Sequence, residues 1–326
     1  MIRLAFLGVG WIGRNRLEAL LGTGQAEAAA ICDPNAEMAE QAREFAPDTA
    51  LVHSLDQLLA CEPDGVVIAT PSALHAEQSI AAFESGAAVF CQKPLGRTAA
   101  EVEAVLEAAR QADRALGVDL SYRYSRAMQA VRSLVESGEL GSIFAADLVF
   151  HNGYGPQSGW FWDKQLSGGG CLIDLGIHLA DLALWVLDCP EVASAQARLF
   201  RDGRSCRDGE VEDFAAGSFD LANGTHARLT CSWNLAAGQD AEIRATFYGT
   251  EGTAEMRNVN GSFFDFVAER FRGREREKLV EPPDEWGGRA AVDWLGRIGE
   301  GFAGTTPGLR QSAQLIDTLY AAAGHR

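Results

Sequence analysis

Within the nearly continuous apolar stretch "GGGCLIDLGIHLADLALWVLD", residues 168 to 188, three ionisable side chains stand out: Asp174, His178 and Asp181. On a helix advancing about 100° per residue, His178 lies about 40° to one side of Asp174 and Asp181 about 20° to the other, so all three share one narrow stripe. Charge on an apolar helix is costly without a partner or a use. Three uses fit the spacing: an Asp–His pair that satisfies itself, half of a metal site, or an acid/base pair facing a polar cleft. The metal use needs a third ligand, and no HxH or Cys/His cluster lies nearby, so no metal is expected. An imidazole titrates near neutral pH, which suits taking the proton of a secondary alcohol while hydride leaves its carbon.

Two further groups sit where apolar runs end. "AAVFCQKPLG" stops at Lys93, just before a proline that cannot continue a sheet. A lysine there can hydrogen-bond a substrate hydroxyl and stabilise charge developing on its oxygen, although taken alone a lysine before a turn is more often a solvated surface residue. "ATPSALH" places Thr70, Pro71 and His75 at the end of another run. His75 fits a cofactor contact or a plain helix-surface histidine.

The third constellation is "FLGVGWIGRN", with Gly8, Gly10 and Gly13 between a strand and a helix that begins near Trp11 and Ile12. Gly8 permits a tight turn, Gly10 lets backbone approach a pyrophosphate, and Gly13 lets the helix lie close on the strand. Asp33 ends the next apolar run, where a carboxylate binds an adenosine ribose and repels a 2′-phosphate. NAD is therefore the preferred cofactor. Arg14 and Arg43 lie within reach, which keeps NADP open.

These residues need elements to hold them. Up to Tyr122 short apolar runs alternate with helical patterns: "IRLAFLG", "AAAICD", "GVVIAT", "AAVFCQ" and "LGVDLS", with helices from Ile12, Ala36, Leu74 and Ala99. Strands buried on both faces and separated by helices predict a doubly wound parallel sheet over residues 1–122. Beyond it the rhythm changes. A helix over 126–136 and a strand over 143–150 precede the apolar helix. Strand-like runs then follow ("VASAQARLF", "EDFAAGSFDL", "THARLTCSWNL", "AEIRATFYG", "GTAEMRN"), and a helical tail lies near 312–323. Strands without crossover helices imply an antiparallel sheet, so residues 123–326 read as an α+β domain.

Composition narrows the function classes. The 326 residues carry a formal charge of −17, which opposes a nucleic-acid backbone or an anionic membrane surface. The run "ERFRGREREK" interleaves its arginines with glutamates and reads as a solvated hairpin or loop. Seven cysteines without a CxxC pair suit reduced thiols in a cytoplasm. The N-terminus runs into the glycine loop rather than a cleavage site, and no stretch of about 18 uncharged apolar residues predicts a membrane span.

Taken in order, "GVGWIG", "ATPSALH", "QKPLG" and "GGGCLIDLGIHLAD" resemble the glucose-fructose oxidoreductase / inositol dehydrogenase / rhizopine-catabolism (GFO/IDH/MocA) family, over almost the whole chain. The resemblance implies a Rossmann domain followed by a domain with a large, mostly antiparallel open sheet that often makes homodimers or homotetramers. It matches Lys93, Asp174 and His178 to the family's catalytic lysine, aspartate and histidine, the stripe lining a cleft opposite the nicotinamide. It places Arg123, His151, Tyr154 and Trp160 on segments that shape a sugar pocket. One position departs: the family commonly has Glu-Lys-Pro, and Gln92 stands before Lys93 here, which alters the expected nicotinamide contacts.

The reading is an NAD-preferring dehydrogenase acting on a secondary alcohol or ketone of a sugar, sugar derivative or cyclitol. Two rivals share the fold: a dinucleotide-binding regulator without turnover, and an NAD-dependent glycosidase. The intact set Lys93, Asp174 and His178 favours the enzyme. The same lysine and histidine also fit reduction of an aldehyde or imine.

Overall fold

The computed structural model describes residues 1–325. The chain forms two compact units: residues 1–121 with 288–306, and residues 122–287 with 307 onward.

In the first unit β1 (Ile2–Leu7), β2 (Ala26–Cys32), β3 (Ala50–Val52), β4 (Gly65–Ile68), β5 (Ala88–Cys91) and β6 (Leu116–Val118) form a parallel sheet, ordered β3-β2-β1-β4-β5-β6. Helices α1 (Trp11–Gly22), α2 (Ala36–Arg43), α3 (Leu55–Leu59), α4 (Ser72–Glu84) and α5 (Ala99–Ala112) connect the strands. Every residue of β4 and β5 is buried, which is why "GVVI" and "AVFC" are continuously apolar rather than alternating. The order reverses between β1 and β4, the switch point at which such sheets receive ligands. β3 and α3, of three and five residues, escape sequence reading because neither is long enough to show a period.

The second unit opens with α6 (Arg126–Glu136) and β7 (Ile143–Asn152). The short α7 (Lys164–Ser167) follows, then a π-helical turn (Leu172–Gly176) and α8 (Ile177–Val186). Strands β8 (Val192–Arg201), β9 (Arg204–Ser205), β10 (Phe214–Leu221), β11 (His226–Ser232), β12 (Ala241–Gly249), β13 (Thr253–Asn258), β14 (Phe266–Arg272) and β15 (Glu275–Val280) complete a nine-stranded sheet, ordered β15-β14-β13-β12-β7-β11-β10-β8-β9. It is antiparallel except between β7 and β11. Alternation along β7 sends Ala146, Leu148 and Phe150 into the core and Asp147, Val149 and His151 to the other face. That outer face is charged: Arg228 bonds Asp147 at 2.7 Å, and Arg257 and Arg276 both meet Glu269. The "ERFRGREREK" run is the β14–β15 hairpin, turning at Gly273 with φ +58°.

After β15 the chain returns to the first unit, which amends the single boundary expected at Tyr122. In α9 (Arg289–Arg297), Trp294 is fully buried, its ring centroid 5.7 Å from that of Phe90. A Cβ on Gly65 or Gly117 would come within 2.8 Å of this indole, so two strand glycines make room for it. Thr306 then pairs with β6, its N–H donating to the Leu116 carbonyl at 2.8 Å. The chain ends on α10 (Leu309–Ala322) in the second unit. A sequence pattern cannot reveal this return, because the contacts lie 188 and 189 residues apart along the chain.

The stretch Lys164–Val186 is long and apolar enough to cross a membrane, but 94% of its most apolar window is buried in the protein. All seven cysteines are free.

Candidate functional site

The glycine loop is built for a dinucleotide. Gly8 has φ +83°, and a Cβ there would lie 2.6 Å from the Ala69 carbonyl oxygen; at Gly13 it would lie 2.1 Å from the Gly8 carbonyl oxygen. Only glycine fits either place. A Cβ on Gly10 would meet nothing within 4 Å, so that glycine leaves the backbone open to a ligand. Here α1 starts, with neither a side-chain cap nor an acid in its first turn. Its free N–H groups and positive dipole end suit a pyrophosphate. Trp11 is 64% exposed at this lip, beside the half-buried Ile12.

Asp33 follows β2 and accepts the Val9 and Asn35 N–H groups, each at 2.8 Å. A carboxylate has about four lone-pair sites, so two remain for a ribose diol. The two cations that could hold a 2′-phosphate are engaged, Arg14 with Gln41 at 2.9 Å and Arg43 with Glu40 at 2.6 Å. Asp33→Asn should weaken NAD binding roughly tenfold, the worth of a charge-assisted hydrogen bond, and weaken NADP less. Titration calorimetry with both cofactors measures this; an unchanged preference would remove Asp33 from the ribose site.

The lysine turn is held from beneath. Lys93 is half-buried and its peptide bond to Pro94 is cis. The two ring nitrogens of His75 lie 2.7 Å from the carbonyl oxygens of Pro94 and Thr70. Burial pushes the imidazole pKa down, while the two carbonyls pull it up. At 1% exposure His75 has no surface left for a cofactor. It ties the end of β4 to the lysine turn. Thr70 donates to Gln78 at 2.6 Å, and Pro71 precedes the first residue of α4. Gln92 is buried with its amide donating to Asp119, which Arg16 also meets. Neither Asp119 nor Arg16 is visible from the sequence, because they join across 103 residues.

The triple glycine before Asp174 admits a buried carboxylate. Glu212 accepts the Gly170 and Leu172 N–H groups at 3.0 Å each and the Tyr320 hydroxyl at 2.7 Å. A Cβ on Gly170 would lie 1.9 Å from the Glu212 carbonyl oxygen, and one on Gly169 would lie 2.1 Å from the Tyr320 hydroxyl. Glu212 therefore caps this helical run at its positive end. Burial raises its carboxyl pKa, and the three donors oppose that rise.

The single stripe of charge is not observed. The turn around Asp174 is π-helical, so 100° per residue does not hold across it. Asp181 is buried and pairs with Arg123, one bond at 2.8 Å from Nε and a second from the other nitrogen of the fork. Arg123, 3% exposed, also donates to the Pro307 carbonyl at 3.0 Å. Its guanidinium is thus held by Asp181 and the Pro307 carbonyl. Asp174 is half-buried and accepts the Trp233 indole N–H at 3.1 Å. His178, 6% exposed, packs edge-on to Tyr122 with ring centroids 4.9 Å apart. Burial, and then the charge of Asp174, hold the Tyr122 phenol pKa above its usual range. The charge of Asp174 thus acts on the ring that His178 packs against.

The remaining pocket expectations divide. His151 follows Phe150 on β7 and so faces away from His178; its Nδ1 lies 2.8 Å from the Ser232 hydroxyl and its ring stacks on Phe214. This corrects its placement with the substrate residues. Trp160 stacks on Phe161 at 3.8 Å, and both Phe161 and Trp162 contact Trp233 edge-on. Trp160 thus connects to Asp174 through aromatic rings. Tyr154 is 52% exposed, beside Phe263. Sequence reading missed Trp233, whose only advance signal is that a buried indole N–H needs an acceptor.

Among the described residues no group of three or more His, Cys, Asp or Glu gathers to hold a metal ion. Residues 2–120 match the oxidoreductase family with an NAD-binding Rossmann fold, and residues 128–255 match the GFO/IDH/MocA C-terminal domain. The chain is 30% identical over 269 residues to D-glucoside 3-dehydrogenase of Escherichia coli strain K12, covering 78% of this chain and 77% of that protein. It is 31% identical over 296 residues to D-apiose dehydrogenase of Paraburkholderia graminis, covering 89% and 75%. A levoglucosan dehydrogenase solved with NADH and levoglucosan shares the fold, with a TM-score of 0.83 at 22% identity, over 99% of this chain and 97% of that one. With both of its units matched by one family's domains in the expected order, the chain belongs to the GFO/IDH/MocA oxidoreductase family.

Proposed function

We propose that the protein is an NAD-preferring oxidoreductase that interconverts a secondary alcohol and a ketone on a sugar, sugar derivative or cyclitol. The observation that carries this reading is that one helical run presents Asp174 to the Trp233 indole, with the Trp162 ring beside it, and His178 edge-on to Tyr122. Aromatic faces beside a carboxylate and an imidazole suit the apolar faces and hydroxyls of a sugar ring. The relatives named for oxidising D-glucosides and D-apiose support that substrate class.

In this reading the glycine loop and Asp33 hold the dinucleotide, whose nicotinamide supplies the hydride exchange. His178 takes or returns the hydroxyl proton. Asp174, fixed by Trp233, orients the substrate, and Lys93 stabilises charge developing on its oxygen. The free cysteines accord with a reducing cytoplasm, and the charged outer face of the nine-stranded sheet is the surface through which copies assemble.

Absorbance of the reduced nicotinamide tests the reading, with NAD or NADP against inositols, aldoses, anhydrosugars and sugar phosphates. Turnover is expected with at least one of them. Lys93→Ala should lower kcat/KM about 10²-fold or more, the usual worth of one oxyanion donor. Tight NAD binding with silence across the panel would overturn the enzyme reading in favour of a dinucleotide sensor.

A further inference from the structure

We infer that Asp119, after β6, is the buried carboxylate that positions the lysine turn, and that its pairing with Arg16 requires an uncharged partner at Gln92. Gln92 Nε2 donates to Asp119 Oδ2 at 2.5 Å. Arg16 Nε donates to the same oxygen at 2.5 Å. The two residues follow adjacent parallel strands, and the Asp119 N–H donates to the carbonyl of Cys91, the residue just before Gln92, at 3.0 Å.

Charge balance explains why residue 92 is an amide. Asp119 is 1% exposed and Arg16 and Gln92 are buried, so the trio carries one positive and one negative charge into the interior. A glutamate at 92 would set a second carboxylate against the first with a single guanidinium to share. Like charges at that range repel strongly away from water. An amide instead gives Asp119 a second donor and adds no charge. Gln92 is therefore the partner Asp119 requires, and the charge balance at the two positions is shared between them.

Asp119 acts as a positioning residue: it anchors Gln92, and Gln92 immediately precedes Lys93. Its second oxygen, Oδ1, is buried and accepts no hydrogen bond from the described residues. One acceptor thus remains at the carboxyl ends of β5 and β6, the edge at which an open α/β sheet receives its ligand.

The test is a reciprocal swap in the full chain: Asp119→Asn, Gln92→Glu and the double variant. Apo Tm is read by calorimetry, and NADH affinity by fluorescence at a temperature where every variant is folded. Each single change should lower the apo Tm by roughly 5–10 °C, as expected for unbalancing a buried charge pair. Each should also weaken NADH binding about tenfold, and the double should recover to within about threefold of wild type. Recovery of NADH affinity is the readout that loss of packing alone would not produce. Wild-type behaviour of Asp119→Asn, or a double variant as damaged as the two singles combined, would overturn the inference. If Asp119→Asn does not fold, the comparison of Gln92→Glu with the double decides, the double being the more stable. The site role rests on the proposed cofactor use, but the Tm coupling is read without cofactor. A wild-type chain that fails to bind NADH defeats the proposed function and leaves the coupling to be judged separately.

Discussion

His178→Ala should lower kcat/KM by about 10²–10⁴-fold, the usual contribution of a positioned acid/base, and leave NADH affinity unchanged. The ring is held edge-on to Tyr122 and lies 6.2 Å from Phe150, so few orientations are open to it. A proton acceptor restrained in this way does not spend rotational freedom at each turnover. Tyr122, edge-on to it, stays protonated because burial and then Asp174 hold its phenol up. The phenol is therefore poorly suited to take over as base. Steady-state kinetics on whichever sugar the panel identifies, with NADH affinity measured by fluorescence, checks the expectation. Turnover within a few-fold of wild type would assign the proton transfer to another group.

The largest expected effect on stability belongs to the buried pair next to it on the helix. Among the described residues Arg123 is the cation bonded to Asp181, and Arg123→Met leaves that carboxylate in a fully buried position. Removing one partner of such a pair costs about 3–5 kcal/mol, a fall of roughly 10 °C in Tm. Burial already raises the Asp181 carboxyl pKa, and Arg123 is the main group opposing that rise. Without Arg123 the raised carboxyl favours its protonated form in the folded state. The variant's deficit should therefore be small below the ordinary carboxylate range and grow as pH rises through the raised value. Arg123→Met combined with Asp181→Leu should recover most of the loss, because no uncompensated charge remains. A pH-independent deficit, or no recovery in the double variant, would show that Arg123 stabilises by packing against Trp185 rather than by pairing.

These two predictions separate residues that the sequence places side by side. Asp174, His178 and Asp181 look equivalent when projected on an ideal helix, yet one meets Trp233, one packs on Tyr122 and one is neutralised by Arg123. The π-helical turn breaks the projection, and the partners come from chain segments 56 to 59 residues away.

Local and periodic features were legible from the sequence alone. The parallel sheet shows in apolar runs buried on both faces, the glycine loop in three glycines of which two have no room for a Cβ, and the second sheet in period-two alternation. Lys93, Asp174 and His178 stood out as candidates because their residue types interrupt or end apolar runs, where a charge needs a reason. Only tertiary structure decided the rest: the return of Trp294 onto β5 and β6, the burial of His75, the turning of His151 to the outer face, and the pairing of Gln92 with Asp119. Each of these depends on contacts between distant segments, which leave no period in the chain. Whether a polar side chain meets solvent, a ligand or a buried partner is settled by what lies opposite it in the fold.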